Sequence, residues 1–259
     1  MCLIIFNWQP ESKEPLLLLG NRDEFYQRPS KVAHRWADKP HIIAGRDLRA
    51  GGTWLGISSD LRLCTVTNYR EIPVKEGNRS RGEIPTDFLD SNLSAEAFAQ
   101  KLASQQALYA GFNALIFDGE QLVYSSNRSH TPIKVLEPGL YGVSNHLLDS
   151  PWPKLERAKR LTRAILSDEN LLHDARNQAL LDAMMDQEKP EDNHLPDTGI
   201  GIEGERLLSS IFIESEHYGT RTTSLVHFKE GALTLTERNY ITGMQNQKAT
   251  YSEQSLNPI

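Results

Sequence analysis

The chain has 259 residues, of which 39% are hydrophobic, and its formal net charge is −6. This length supports one large hydrophobic core or two smaller ones. The acidic balance disfavours phosphate backbones, so we expect no nucleic acid among the partners. No apolar run reaches the roughly 18 residues of a membrane-spanning helix, and we expect no signal peptide.

The first half of the sequence is typical of β-structure. Residues 2–7 and 16–20 are continuous apolar runs, separated by a turn that contains two prolines. Strands without polar alternation are normally covered on both faces, so this hairpin should lie inside a layered structure. Further strands are predicted at 41–45, 53–58, 62–69, 112–118, 121–127 and 139–145. Asp118-Gly119 is the expected hairpin turn before the fifth of these.

Helices and the last strands follow. Ser94 is a predicted N-cap, because the apolar residues after it recur at helical spacing. Helices are predicted at 95–102, 154–166 and 170–186, an exposed loop at 187–206, and strands at 207–213, 220–228 and 232–238. This order favours an α+β fold in which two antiparallel sheets stack and helices cover them. We expect one domain over 1–240 and a polar C-terminal tail over 241–259.

Cys2 is the first candidate for chemistry. Two cysteines do not make a disulfide framework, and they fit a reducing, cytoplasmic compartment. Removal of Met1 would give Cys2 a free α-amine, which titrates near ~7.7–8.0 and can serve as a general base for the thiol. The alternative is that Cys2 is a small apolar residue opening a buried strand. Cys64, within a predicted strand, is expected to be buried and inert.

A polar quartet, Asn21-Arg22-Asp23-Glu24, ends the second apolar strand. The hairpin register should place its first three residues opposite Cys2. Arg22 would then lower the pKa of the thiol, and Asp23 would hydrogen-bond the α-amine. The alternative is a turn that carries an exposed ion pair.

Gly51-Gly52 and Trp54 are candidates for a binding pocket. Adjacent glycines allow a sharp bend or a close approach of the backbone to a ligand. Trp54 would wall an apolar pocket, with a position in the core as the alternative.

Short sequence blocks are spread from residue 1 to about 240. They are MCLI at 1–4, NRDEF at 21–25, RPS at 28–30, GGTWLG at 51–56, TNYR at 67–70, RGE at 81–83, GFN at 111–113, YGVSN at 141–145, PWPKL at 151–155 and YGTRT at 218–222. In this order they resemble the signature of the NRDE family, also called the Transport and Golgi organisation protein family.

The resemblance implies a four-layer αββα sandwich similar to N-terminal-nucleophile (Ntn) hydrolases. The family is more distantly similar to bile salt hydrolases and penicillin V acylases. By this similarity, the residues that match catalytic positions are Cys2, Arg22, Asp23, Asn68, Asn145 and Arg221. Asn68 and Asn145 would donate hydrogen bonds to an oxyanion, and Arg221 would hold a substrate carboxylate or the thiolate. The sequence departs from those acylases in having Arg22 and Asp23 contiguous. The alternatives are turn asparagines and an exposed cross-strand arginine.

Two functions follow. Because the NRDE family is implicated in haem trafficking, the resemblance predicts a protein that binds haem or a related amphipathic ligand, with Gly52, Trp54 and His146 as ligand-binding residues. The alternative is an amidohydrolase or acyl-transfer enzyme that cleaves a small amide or thioester, with Cys2 as nucleophile and no metal required for catalysis. The family resemblance favours haem binding over hydrolysis, whereas the chemistry of the residues alone favours hydrolysis over haem binding.

Overall fold

The structure is a computed structural model that describes residues 2–241 and 250–256. The strands are β1 (Cys2–Trp8), β2 (Leu16–Phe25), β3 (Ser30–Arg35), β4 (Ile42–Asp47), β5 (Leu55–Ser58), β6 (Leu63–Asn68), β7 (Phe112–Phe117), β8 (Leu122–Ser126), β9 (Ile133–Val135), β10 (Gly139–Val143), β11 (Tyr218–Lys229), β12 (Ala232–Ile241) and β13 (Thr250–Leu256). The helices are α1 (Glu83–Leu89), α2 (Ala95–Ser104), α3 (Pro153–Leu166), α4 (His173–Ala183) and α5 (Ile202–Leu207). Within these ranges no helix combines the length and the apolar character needed to cross a bilayer.

The strands form two antiparallel sheets. Sheet A has the order β10-β1-β2-β11-β12-β13, and sheet B has the order β3-β4-β5-β6-β7-β8-β9. Strand β1, which begins at Cys2, therefore lies inside sheet A between β10 and β2. The chain places its second residue on an interior strand and not at a sheet edge.

Side chains of the first hairpin alternate between two cores, as the pleat of a strand requires. Ile4 and Leu18 pack in a core between the two sheets, whereas Leu3 and Leu19 pack in a second core against α3 and α4. A third core joins sheet B to α1 and α2. The layers therefore run helix, sheet, sheet, helix, which confirms the α+β class and the double covering predicted for the hairpin.

The structure corrects two predicted elements and adds others. The exposed loop expected at 187–206 is interrupted at Ile202, where α5 begins, and Glu205 in that helix is buried. The strand expected at 207–213 is wrong, because α5 ends at Leu207 and residues 208–213 form no strand. Ile211 and Phe212 are buried in this segment, so its apolar residues reflect burial in the core and not a β-strand. Strands β3 and β9 and helices α1 and α5 were not predicted. The Ser94 cap is confirmed by its side chain, which accepts a hydrogen bond from the Ala97 amide at 3.2 Å.

Part of the predicted C-terminal tail belongs to sheet A. Residues 250–256 form β13, which pairs with β12 from Leu235 to Ile241. Residues 242–249 and 257–259 of that tail lie outside the described residues. The single domain over 1–240 stays a prediction.

Gly52 marks a close approach of two backbone segments. A Cβ atom built on Gly52 would lie 2.3 Å from the carbonyl oxygen of Gly82, at the start of α1. We expect Gly52→Ala to lower the free energy of unfolding by about 1–3 kcal/mol, because the backbone must move to admit the methyl group. Urea unfolding measures this loss. Gly20→Ala is the control, since its Cβ would meet its nearest neighbour at 3.8 Å; an equal loss in both variants would contradict the explanation.

Candidate functional site

A cleft of about 370 Å³ opens at the end of sheet A where β1 begins and β2 ends. Its walls come from the β4–β5 turn, from β6 and from the segment that leads into α1. The lining residues are Cys2, Arg22, Asp23, Glu24, Arg28, Asp47, Ala50, Gly52, Thr53, Trp54, Val66, Asn68, Val74, Glu76, Gly77, Arg79, Ser80, Arg81, Gly82 and Ala110. Eight of these twenty are charged, four basic and four acidic, so the cleft suits a polar or charged ligand group.

Cys2 lies in this cleft with a half-buried side chain. The strand register pairs Cys2 with Arg22 and Leu3 with Asn21, which confirms the predicted placement of the quartet. Burial is the largest influence on the Cys2 thiol and raises its pKa, while the charge of Arg22 acts in the opposite direction. Since burial prevails, the thiol is protonated at neutral pH and needs a base before it can attack.

Arg22 is held by an aromatic ring and a carboxylate. Its guanidinium lies 4.2 Å from the ring centroid of Trp54 and 3.7 Å from Asp47 Oδ2. Arg28 donates to the same oxygen at 2.5 Å. Trp54 therefore lines the cleft and also packs against the core between the two sheets, so it takes part in both of the positions considered for it. The cleft that it lines is charged and not apolar, and its ring stabilises the cation of Arg22.

Asp23 points into a buried polar layer beneath the cleft. It is 1% exposed, and its Oδ1 accepts a hydrogen bond from Thr220 Oγ1 at 2.7 Å. Burial raises the pKa of Asp23, and the nearby charges of Lys154 and Arg22 oppose that shift.

Lys154, near the start of α3, is a site residue that sequence reasoning missed. It is buried, and its Nζ donates to the carbonyl oxygen of Leu208 at 3.0 Å. Burial lowers the pKa of Lys154 to about 8, although the charges of Asp23 and Cys2 favour the protonated form. The block PWPKL at 151–155 contains this residue and is the sequence feature that could have identified it.

The lowered pKa of Lys154 predicts a pH dependence of stability. Between about pH 8 and 10.5 the unfolded chain holds the Lys154 proton and the folded chain does not, so folding gains stability as pH rises. We expect the unfolding free energy of the wild type, relative to Lys154→Met, to increase by about 3 kcal/mol across this window. Urea unfolding at several pH values tests this, and a flat difference would contradict it.

The two candidate oxyanion asparagines occupy different positions. Asn68 ends β6 and lines the cleft. Asn145 is fully buried behind it, and its Nδ2 donates to the backbone oxygen of Asn68 at 3.0 Å. Asn145 therefore positions the end of β6, and its contact with a substrate stays a prediction.

Arg221 and His146 do not line the cleft. Where β11 pairs with β2, a bulge between Thr220 and Thr222 leaves Arg221 out of the strand register. The Arg221 guanidinium donates to the backbone oxygens of Arg28 and Phe25. His146 Nδ1 lies 2.6 Å from Ser150 Oγ, and its ring packs between Tyr69 and Trp152. Both side chains therefore lie outside the cleft wall, as Asn145 does, although Arg221 remains near enough to Arg22 and Glu24 to feel their charges.

Arg81 is a second residue that the sequence reasoning did not assign. It lies in the cleft, donates to the carbonyl oxygen of Gly111 at 3.0 Å, and feels the charge of Cys2. Burial lowers its pKa, and the Cys2 thiolate would raise it. The block at 81–83 is the sequence feature that could have identified it.

Cys64, in contrast, lies in the core between sheet B and its helices. Its side chain is fully buried, and burial raises the pKa of the thiol far above its usual range. The prediction of a buried, inert cysteine agrees with this environment.

The fold and cleft define an α+β protein whose second residue, a cysteine, lies on an interior strand within a charged pocket. Residues 1–242 match the family model for Transport and Golgi organisation 2. The Transport and Golgi organization 2 homolog of Mus musculus is 36% identical, and the alignment covers 93% of this chain and 94% of that protein. The Homo sapiens homolog is also 36% identical, with 92% of this chain and 93% of that protein covered. The Drosophila melanogaster protein is 29% identical over 90% of this chain and 93% of its own. The chain belongs to this family, as its sequence blocks predicted.

Two solved structures are similar over most of the chain. The C2A mutant of conjugated bile acid hydrolase from Clostridium perfringens has a TM-score of 0.46 at 12% identity, covering 99% of this chain and 92% of that chain. The Caenorhabditis elegans orthologue of N-acylethanolamine-hydrolyzing acid amidase has a TM-score of 0.44 at 10% identity, covering 86% and 92%.

Proposed function

We propose that the protein is an N-terminal-nucleophile enzyme that acts on a small, polar acyl compound. It would cleave the C–N bond of an amide or the C–S bond of a thioester. The observation that carries this proposal is the place of Cys2, which opens an interior strand in a cleft of charged side chains. A cytoplasmic location suits this chemistry, because a reducing compartment keeps the nucleophile as a thiol.

The reaction begins with the proton of the Cys2 thiol. After removal of Met1, the α-amine of Cys2 takes that proton while the sulfur bonds to the carbonyl carbon. The tetrahedral oxyanion accepts hydrogen bonds from donors that include the side-chain amide of Asn68. When the intermediate collapses, the bond to the leaving group breaks and the amine returns the proton to it. Water then hydrolyses the acyl-enzyme, with the same amine as base.

Buried charges support the α-amine in this scheme. Asp23 follows Arg22, which is the register partner of Cys2, and we expect its carboxylate to accept a hydrogen bond from the protonated amine. Thr220 Oγ1 donates a hydrogen bond to Asp23, and the positive charge of Lys154 favours the ionised carboxylate. The positive charge of Arg81 favours the thiolate as it forms.

Mass spectrometry of the intact protein tests the enzyme proposal. An activated acyl compound, such as a p-nitrophenyl ester, should add one acyl group to the wild type and none to Cys2→Ala. Cys64 remains in both proteins and serves as the internal control, because it is fully buried. Equal acylation of the two proteins would rule out Cys2 as the nucleophile.

Haem binding is the second candidate. The cleft places a thiol beside Trp54, Val66 and Val74, and its arginines could pair with carboxylates. His146, outside the cleft, is not positioned to contribute a ligand there, so Cys2 is the proposed ligand. Titration of the protein with haem should then give a saturable Soret shift that Cys2→Ala lacks. The absence of saturation would remove this candidate and leave the enzyme proposal untouched.

A further inference from the structure

Of the two asparagines predicted to bind an oxyanion, one lines the cleft. That residue is Asn68, whereas the side-chain nitrogen of Asn145 lies behind it and donates to the backbone oxygen of Asn68 at 3.0 Å. The oxyanion of an acyl transfer is normally held by more than one hydrogen-bond donor, and these donors are in place before the reaction begins. A second donor is therefore expected in the cleft, close to Asn68.

Arg81 is held beside Asn68 through a shared acceptor. The carbonyl oxygen of Gly111 accepts from Arg81 Nη1 at 3.0 Å and from the backbone nitrogen of Tyr69, the residue after Asn68, at 2.9 Å. These two donor nitrogens therefore lie within about 6 Å of each other. Arg81, Asn68 and Cys2 all line the same cleft. Burial lowers the pKa of Arg81, and among the nearby charges that of Cys2 opposes this shift most strongly.

The guanidinium of Arg81 has unused hydrogen-bond donors. The other three arginines of the cleft, Arg22, Arg28 and Arg79, each form an ion pair with a carboxylate. Within the described part of the chain Arg81 forms no ion pair, and its side chain donates to Gly111 alone. A guanidinium carries five N–H groups, so most of those of Arg81 stay available to a ligand. A negative charge that develops beside this half-buried cation is stabilised by it.

The backbone that carries Arg81 is fixed on both sides. The carbonyl oxygen of Gly82 accepts from the Thr53 amide at 3.0 Å. On the other side, the Ser80 amide donates to Glu83 Oε1 at 2.9 Å, at the start of α1. These contacts hold the main chain of Arg81 before a ligand arrives, which is the preorganisation that electrostatic stabilisation of a transition state requires.

We propose that Arg81 is the second oxyanion donor and acts together with Asn68 on the carbonyl group that Cys2 attacks. The inference rests on the enzyme function proposed above. As the sulfur bonds to the carbonyl carbon, the π electron pair moves to the carbonyl oxygen, and N–H groups of Arg81 and Asn68 donate to that oxygen. As the pair returns, the bond to the leaving group breaks. Arg81 keeps its proton throughout, since guanidinium does not ionise at these pH values.

Two reactions of the same sulfur atom test this role. Acylation of Cys2 by a p-nitrophenyl ester passes through an oxyanion, whereas alkylation by iodoacetamide expels iodide without forming one, and both reactions need the thiolate. We expect Arg81→Gln to slow acylation by about 10²–10³-fold, the usual effect of removing one oxyanion donor, and to slow alkylation far less. Asn68→Ala should show the same pattern.

Lys75→Gln is the matched control for charge. Lys75 is exposed next to cleft-lining residues but does not line the cleft itself, so its substitution removes one positive charge and should leave both rates unchanged. Arg81→Lys keeps the charge without the planar fork of donors and should recover part of the lost acylation rate. Circular dichroism spectra and melting temperatures that match the wild type would show that the variants are folded.

The pH dependence separates a hydrogen bond to the oxyanion from an effect on the thiol. If Arg81 acted only through the pKa of Cys2, acylation of Arg81→Gln would reach the wild-type rate at high pH, whereas we expect it to stay slower at every pH. Full recovery at high pH, equal slowing of acylation and alkylation, or an equal loss in Lys75→Gln would overturn the role of Arg81 and leave the enzyme proposal standing. A wild type that iodoacetamide alkylates but no ester acylates would overturn the enzyme function, and this inference with it.

Discussion

A chain that carries one additional glycine ahead of Cys2 should form its acyl-enzyme about 10²–10⁴-fold more slowly than a chain that begins at Cys2. The reason is the position of the base. With Cys2 at the terminus, the α-amine and the thiol belong to one residue; with the added glycine, that nitrogen is an amide and cannot accept a proton. Burial raises the pKa of the Cys2 thiol, so the protein cannot rely on spontaneous ionisation.

Both chains can be released from the same N-terminal fusion by a protease, and stopped-flow acylation by an activated ester gives the two rates. The rate for the chain that begins at Cys2 should rise with pH as its amine loses its proton, near ~7.7–8.0. Matching circular dichroism spectra and melting temperatures would show that the added residue leaves the fold intact. Equal rates would exclude the amine as the base, even if Cys2 remained the nucleophile.

Glu205→Ala should lower the free energy of unfolding by about 3–5 kcal/mol, since it leaves a buried arginine without its carboxylate. Glu205 Oε2 lies 2.8 Å from Arg70 Nη1, and both side chains are at most 6% exposed. The other carboxylate oxygen accepts hydrogen bonds from the amide and hydroxyl of Thr198. The substitution therefore removes an ion pair and releases the loop that precedes α5.

Urea unfolding monitored by tryptophan fluorescence measures this loss. Asp192→Ala is the control, because Asp192 pairs with Arg206 on the surface and exposed ion pairs contribute little. A similar small effect of both substitutions would mean that other partners of Arg70 replace Glu205. Since the Arg70 guanidinium also lies 4.9 Å from the ring centroid of Trp152, the substitution should weaken the packing of Arg70 on this ring as well.

The sequence predicted the parts of the fold that depend on local apolar pattern. The runs at 2–7 and 16–20 have no polar face, and both of their faces are indeed covered, one by sheet B and the other by helices. The same reasoning failed at 207–213, because burial does not distinguish a strand from an irregular segment. Strand β3 was missed because it is largely exposed, with little apolar pattern to detect.

The candidate site was predictable where it follows from strand register. Pairing of Cys2 with Arg22 required only the length of the first hairpin. Lys154 and Arg81 could not be found in this way, because helix packing brings Lys154 near Asp23 beneath the cleft, and a long connection brings Arg81 to the cleft wall. Register reasoning failed at Arg221, because the bulge there inserts a single residue and changes where the strand directs its side chains.

The contrast between the two sulfur atoms gives the molecule a built-in chemical reporter. A thiol-reactive dye applied to the native protein can reach Cys2 through the cleft, whereas Cys64 is sealed in the core until the fold opens. Reaction of the accessible Cys2 sulfur therefore reports occupancy of the cleft, and reaction of Cys64 reports global unfolding. Ligand discovery and stability measurement can share a single reagent without engineered labels.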